Sequence, residues 1–265
     1  MLDAPDAVTS QIREAGRLRL FLDYDGTLAD FAPTPEHVHP NPDVIALVSR
    51  LAEHPHIQPT VISGRRLEHV KKLIPVSQVM LAGTYGIELQ LPSGEPVDRV
   101  AFQDVRPTLE AIKPHWEELL SGRRGYFLED KGWALALHAR HADDADAETV
   151  LNQARQAVER VLDDAPAELF RLLGGHKFLE VGPALAHKGR TVEFLLDRYP
   201  SPGALPVYVG DDDKDEEAFS VIHAREGLAV RVCGRPCRTT ADGTLDSPQD
   251  ARRWLAGILL TRQTN

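Results

Sequence analysis

Three short apolar runs, residues 18–22, 57–62 and 79–82, are separated by stretches whose apolar side chains recur at helical spacing. Strand, helix, strand, helix, strand in that order implies a parallel sheet and an α/β fold. The first run ends in Asp23-Tyr24-Asp25-Gly26-Thr27-Leu28. Residues i and i+2 of an extended segment point the same way, so Asp23 and Asp25 can face one reacting atom, and Gly26 lets the chain turn sharply away. Taken alone, these residues also describe a strand ending in a capped turn.

Residues 1–17 are expected to form a short helix or a loose arm. Pro33, Pro35, Pro40 and Pro42 forbid a regular helix over 31–42 and predict an extended surface connection. A helix is predicted from Asp43 to the stop at His54-Pro55, and another after Arg66 through about Leu73. Between strand 57–62 and that second helix stands Ser63-Gly64-Arg65-Arg66, where a hydroxyl, backbone N–H groups and the helix dipole can hold an anion. Ser-Gly is also a common turn.

From residue 87 to about 182 the buried runs give way to alternating ones. A hairpin over 87–91 and 97–100, a helix over 103–120, strands 125–129 and 133–139, a helix over 144–162, and strands 168–172 and 177–181 about a Gly174-Gly175 turn predict an antiparallel sheet covered on one face by two helices. At Pro183 the first pattern resumes with His187-Lys188-Gly189, a helix to about Arg198, a strand over 206–209, another near 227–232 and a closing helix over 250–260. Strand 206–209 runs into Gly210-Asp211-Asp212-Asp213-Lys214-Asp215-Glu216, five carboxylates in the six residues after the glycine. Such crowding is repulsive without a counterion, and a divalent cation held by oxygen ligands relieves it. An acidic helix start is the plainer alternative.

At 265 residues the chain suffices for one large domain or two modest ones. Hydrophobic residues make up 42% and charged ones 26%, and no run approaches the roughly 18 apolar residues of a membrane helix. With no apolar signal-like stretch over 1–17, a soluble cytoplasmic protein without membrane partners is expected. A net charge of -10 argues against binding a nucleic-acid backbone. Cys233 and Cys237, the two cysteines present, suggest no disulfide framework or zinc site and are expected to be unremarkable thiols in a reducing compartment.

Asp23, Ser63 and Asp211 each fall just beyond the C-terminal end of a predicted parallel strand, the edge where open α/β sheets place ligands. Carboxylates from two strands make an oxygen-rich magnesium site, with Ser63 and a nearby lysine available to phosphate oxygens. This is a phosphoryl-transfer constellation. No Walker-type or kinase glycine loop is present, so the phosphoryl acceptor is expected to be an aspartate.

Residues 23–28, Ile62-Ser63-Gly64-Arg65, His187-Lys188-Gly189 and residues 210–219 resemble, in order, the four motifs of the haloacid-dehalogenase-like phosphatases, and the last is similar to the metal motif of their trehalose-6-phosphate phosphatase branch. The resemblance implies a Rossmann-like core, residues 1–90 and 183–265, with a mainly parallel sheet and an inserted α+β cap, residues 91–182. It implies Asp23 as nucleophile and Asp25 as acid and then base. Mg2+ would be held by Asp23, the carbonyl of Asp25, and Asp211, with Ser63, Gly64, Arg65 and Lys188 on the phosphoryl oxygens. Asp215 and Asp212 would orient Lys188 or metal-bound water. In the cap, Glu129, Lys131, Arg140, Lys177 and Glu180 resemble residues that grip sugar hydroxyls. The implied activity is hydrolysis of trehalose 6-phosphate by a monomer. Tyr85 stands where many relatives have histidine, and Lys214 where threonine is common, which admits a related substrate of the sucrose-6-phosphate or glucosyl-3-phosphoglycerate type. A non-catalytic sugar-phosphate sensor that has kept the fold is the rival of another class.

Overall fold

The computed structural model describes residues 5–30, 38–163, 165–235 and 237–262, so most of the predicted proline-rich connection lies outside the described residues. The chain divides into two compact units, Met1–Val97 with His187–Asn265, and Asp98–Ala186. In the first, α1 (Pro5–Glu14) buries Val8 and Ile12 in the core and is no loose arm. The strand β1 (Arg17–Asp23) carries the predicted apolar run. Next, α2 (Pro42–Glu53) begins on Pro42 itself, because Asn41 caps it by accepting from the Asp43 and Val44 N–H groups, and proline lacks the N–H that a first helical residue leaves unpaired.

The elements β2 (Ile57–Ile62), α3 (Leu67–Leu73) and β3 (Met80–Gly83) follow the predicted pattern. The hairpin of β4 (Glu88–Gln90) and β5 (Pro96–Asp98) was expected to open the second layer, yet it extends the first sheet, with β4 antiparallel to β3 and Leu89 opposite Ala82. Alternating polarity identifies a strand without saying which sheet it joins. The second unit accordingly begins at Asp98, later than the expected residue 91.

That second unit contains α4 (Phe102–Leu120), β6 (Phe127–Asp130), β7 (Leu135–His138), α5 (Asp144–Leu162), β8 (Phe170–Gly175) and β9 (Phe178–Pro183). Its four strands form an antiparallel sheet in the order β6-β7-β9-β8. Both helices turn buried stripes inward, Val105, Leu109, Ile112 and Trp116 of α4 meeting Val150, Ala154 and Val158 of α5, and Trp116 Nε1 donates to the Ala154 carbonyl at 3.0 Å. Gly174 and Gly175 lie within β8, opposite Leu179 and Phe178, and the turn falls on His176 and Lys177, with Lys177 at φ 53. The apolar pairing of Leu172 with Val181 sets this register, and it overrides the turn preference of the glycine pair.

The first unit is completed by α6 (Lys188–Arg198), β10 (Ala204–Gly210), α7 (Asp213–Ala224), β11 (Leu228–Val232), β12 (Gly243–Leu245) and α8 (Pro248–Arg262). Its sheet has the order β12-β11-β10-β1-β2-β3-β4-β5, parallel from β12 to β3. Leu18, Leu20 and Leu22 of β1 face a core shared with α1, α2, α3 and α8, whereas Phe21 faces α6 and α7 through Val192, Leu195 and Phe219. Burial of each leucine stabilises the unit by about 1.5–3 kcal/mol. Strands proceed outward from β1 on both sides, so the crevice of this fold opens at the C-terminal end of β1. Beyond β11, Cys233 and Cys237 are joined in a disulfide, in place of the two thiols expected; their Cα atoms are 6.8 Å apart, a span a disulfide can bridge.

Candidate active site

Asp23 is the last residue of β1 and is 5% exposed. It shares a face with Phe21, the face covered by α6 and α7, and the first residue of α6 is Lys188. The buried Lys188 Nζ donates to Asp23 Oδ1 at 2.8 Å and to Asp215 Oδ1 at 2.6 Å. Asp215 is saturated, because Tyr208 Oη donates to its Oδ1 at 2.7 Å and the Asp211 and Asp212 N–H groups donate to its Oδ2 at 2.9 and 3.0 Å. Gly210 makes this cradle possible: a Cβ there would overlap the Asp215 carboxylate. Asp212 reciprocates as the cap of α7, accepting from Lys214 N and Asp215 N. Asp215 thus binds Lys188 and the backbone of the acidic loop.

The strand ends at Asp23, and Asp25 lies beyond it, bridged to Ala29. Its two oxygens accept from Arg65 Nε and Nη2, each at 2.8 Å, so the Arg65 guanidinium clasps Asp25 in a bidentate pair. The buried Ser63 follows β2, one strand away, and its Oγ accepts from Arg65 N at 3.1 Å. Thr27 places one hydroxyl between Asp23 Oδ2, at 3.3 Å, and Asp211 Oδ1, at 3.1 Å. Asp211 follows β10 on the other side of β1.

Asp23, Asp211 and Asp215 each offer a carboxylate oxygen within 4.8 Å of the others. Burial pushes the Asp23 carboxyl well above the usual carboxylate range, Lys188 pulling against it, and it pushes Asp211 up to about 7 with the help of Asp215 and Asp212. Burial would lower Lys188, but Asp215 and Asp23 outweigh it and hold the ammonium well above its ordinary value. For Asp212 burial is again outweighed, here by Lys188, and the carboxyl sits low. Two buried carboxylates, Asp23 and Asp215, thus share one ammonium, with Asp211 close beside them, so the carboxylates outnumber the cations. An all-oxygen donor set of this kind fits a hard divalent cation, and since four protein donors crowd the two oxygens of Asp215, against two on Asp23 and one on Asp211, Asp23 and Asp211 are the carboxylates with capacity for it.

Within the second unit, Lys131 Nζ donates to Glu180 Oε2 at 2.6 Å and lies 4.0 Å from Glu129, whose Oε2 is 3.0 Å from His138 Nε2. Glu129, Lys131 and Glu180 therefore lie in one group, with His138 added. Phe127, His138 and Phe178 stand opposite one another on β6, β7 and β9 and form a row of rings, with centroids 5.9 and 5.3 Å apart. Phe127 is 54% exposed. Lys177 is not in this group: its ammonium holds the Ala142 carbonyl and Asp144 Oδ1, both at 2.6 Å. Arg140 is exposed beyond β7.

Residues 21–249 match the sequence profile of the family described as Trehalose-phosphatase. The chain belongs to the trehalose-phosphatase family. It is 29% identical over 253 residues to trehalose-phosphate phosphatase B of Arabidopsis thaliana, a match covering 91% of this chain and 66% of that protein, so it spans about two thirds of this plant relative. It is 30% identical over 244 residues to a probable trehalose-phosphate phosphatase of Sinorhizobium fredii, covering 91% and 87%. The C-terminal domain of trehalose-6-phosphate phosphatase from C. albicans superposes with a TM-score of 0.80 at 22% identity, 97% of each chain being covered.

The resemblance read from four motifs is thereby a family membership, and the mainly parallel core sheet with a separate four-stranded antiparallel sheet is the architecture expected of this haloacid-dehalogenase branch. In this trehalose-phosphatase family member several residues shape the site without having been singled out from sequence. Thr27 and Tyr208 are two of them. Arg231, buried on β11, donates to the Asp211 carbonyl at 3.1 Å, to Glu216 at 2.8 Å and to Asp213 at 3.1 Å, and so pins the acidic loop. The available signal was a charge at the fourth position of an otherwise apolar strand, residues 228–232.

Proposed function

We propose that the chain hydrolyses trehalose 6-phosphate to trehalose and inorganic phosphate, as a Mg2+-dependent monomer, through an aspartyl-phosphate on Asp23. The observation that carries the chemistry is Asp23 itself: a buried carboxylate at the end of the central strand, one oxygen on Lys188 and the other making, among the described residues, the longer Thr27 contact. The sugar is argued from the family and from the names of the relatives, trehalose-phosphate phosphatases.

Asp23 attacks phosphorus in line, forming an Oδ–P bond as the bond from phosphorus to the sugar oxygen breaks. Asp25 gives its proton to the departing sugar oxygen, then takes one from the water that cleaves the aspartyl-phosphate, so one group serves both half-reactions. To do this it must leave its bidentate pair with Arg65, which frees Arg65 to meet phosphoryl oxygens together with Ser63 and Lys188. Bound Mg2+, held by Asp23, Asp211 and the Asp25 carbonyl, would supply the charge that lets a carboxylate approach a phosphate dianion. Residues 98–186 act as the cap. There Glu129, Lys131, Glu180 and His138 take the sugar hydroxyls beside the exposed Phe127 ring.

The test is phosphate release from a panel of sugar phosphates with and without Mg2+. Trehalose 6-phosphate is expected to have the highest kcat/KM and to need the metal. A higher value for sucrose 6-phosphate or a glucosylglycerate phosphate overturns the substrate, and no turnover of any member favours a non-catalytic sensor.

A further inference from the structure

Thr84 and Tyr85 are consecutive non-glycine residues in the left-handed region, at φ 49 and 53. Such strain persists where the surroundings over-determine it, and it clusters at functional sites. Here the surroundings are the phosphate-binding loop. Thr84 N donates to the Arg65 carbonyl at 2.7 Å and Tyr85 N to the Ser63 carbonyl at 2.8 Å, so the strained pair grips the residues on either side of Gly64. From α6, Thr191 Oγ1 donates to the Tyr85 carbonyl at 2.7 Å, one turn beyond Lys188.

The Tyr85 ring packs against Gly64, where a Cβ would come within 2.6 Å of Cζ and 2.7 Å of the hydroxyl. That hydroxyl accepts from Lys214 Nζ at 3.0 Å, and the ammonium lies 5.1 Å from the ring centroid. Tyr85 follows β3 and Lys214 follows β10, with β2 and β1 between them. The contact therefore spans the two strands that carry Ser63 and Asp23. Although 129 positions apart, Tyr85 and Lys214 touch.

We propose that Tyr85 and Lys214 act as one unit, in which Tyr85 is a positioning residue that braces the Ser63–Arg65 loop and holds the Lys214 ammonium at its hydroxyl and ring, adding a cation to the phosphate-binding edge of the site. The inference rests on the phosphatase reading and is independent of which sugar is carried. A cation held there strengthens binding of the phosphate dianion in substrate and product alike, so its loss falls on KM and on product affinity more than on kcat.

The experiment compares Tyr85→Phe, Lys214→Met, the double variant and Lys214→Arg. For each, the dissociation constant of inorganic phosphate is measured by calorimetry with Mg2+ present, and KM and kcat are measured with acetyl phosphate, which carries no sugar. Each single variant is expected to weaken phosphate binding and raise KM about tenfold, the scale of one charge-assisted contact. The double variant should match the singles, and Lys214→Arg should restore most of the loss. Unchanged phosphate affinity in Lys214→Met, or fully additive losses in the double variant, overturns the proposal. If Tyr85→Phe does not fold, the Lys214→Met and Lys214→Arg pair decides it alone. Failure of trehalose 6-phosphate as a substrate leaves these readouts untouched, whereas absence of turnover on every phosphate ester brings down the phosphatase reading.

Discussion

Asp23 concentrates the chemistry and the electrostatic strain in one side chain. Asp23→Asn is expected to lower turnover by more than about 10³-fold, because an amide neither attacks phosphorus nor balances Lys188. Its melting temperature should not fall, since one charge leaves a surplus of buried carboxylates. Phosphate release near the wild-type rate would end the nucleophile assignment. The residues of this centre differ in how visible they were beforehand. Asp23 and Asp211 could be named from their places at strand ends, and Lys188 and Asp215 through the resemblance of their motifs to a known family. The partnership of Arg65 with Asp25 joins positions 40 apart, and that of Arg231 with the Asp211 carbonyl joins positions 20 apart. Through-space pairings of this kind depend on strand order, which residue types alone do not specify.

Among the elements, the loop between β10 and α7 depends on a missing side chain. Gly210→Ala would drive a methyl into the Asp215 carboxylate, and overpacking of this kind costs about 1–3 kcal/mol. Urea unfolding should show that loss, together with a drop in turnover as Lys188 loses its support. Wild-type values for both would mean that the cradle can shift freely. In the second unit, Asp130 accepts from Arg106 Nη1 and Nη2 at 2.7 and 2.9 Å and from Lys113 at 3.0 Å, and these partners, Arg106 first, hold its carboxyl well below the ordinary range. A depressed folded value gives stability that is full above the unfolded pKa, about 4, and is lost as pH falls toward the folded value. The stability gap between wild type and Asp130→Asn should therefore be constant at neutral pH and narrow below about pH 4; a gap that persists undiminished under acid contradicts the ion-pair assignment. Long amphipathic helices such as α5 and buried strands such as β2 were legible because periodicity extends over their whole length. The three-residue β12 is too short to carry a pattern, and the β4–β5 hairpin was visible as strands but not as part of the first sheet.

For the whole molecule, a ligand that binds only the assembled site stabilises everything that must fold to build it. Mg2+ at about a hundred times its dissociation constant is expected to add about 2.7 kcal/mol to stability, with chelator reversing both the shift and the activity. Asp211→Asn should blunt the shift, and an equal shift in that variant would place the ion elsewhere. No helix among the described residues is long and apolar enough to cross a membrane. The strand order has a further consequence for the birth of the protein. Strand β1 is synthesised before its neighbour β10 and the Lys188 that meets Asp23, 165 positions on, and these come only after all of the inserted unit. Non-local pairing of this kind slows folding, and domains tend to form as they are synthesised. The nascent central strand must therefore wait, with one edge unpaired, while residues 98–186 have the chance to fold first, which makes that interval the period when the chain is most exposed to aggregation or to capture by a chaperone.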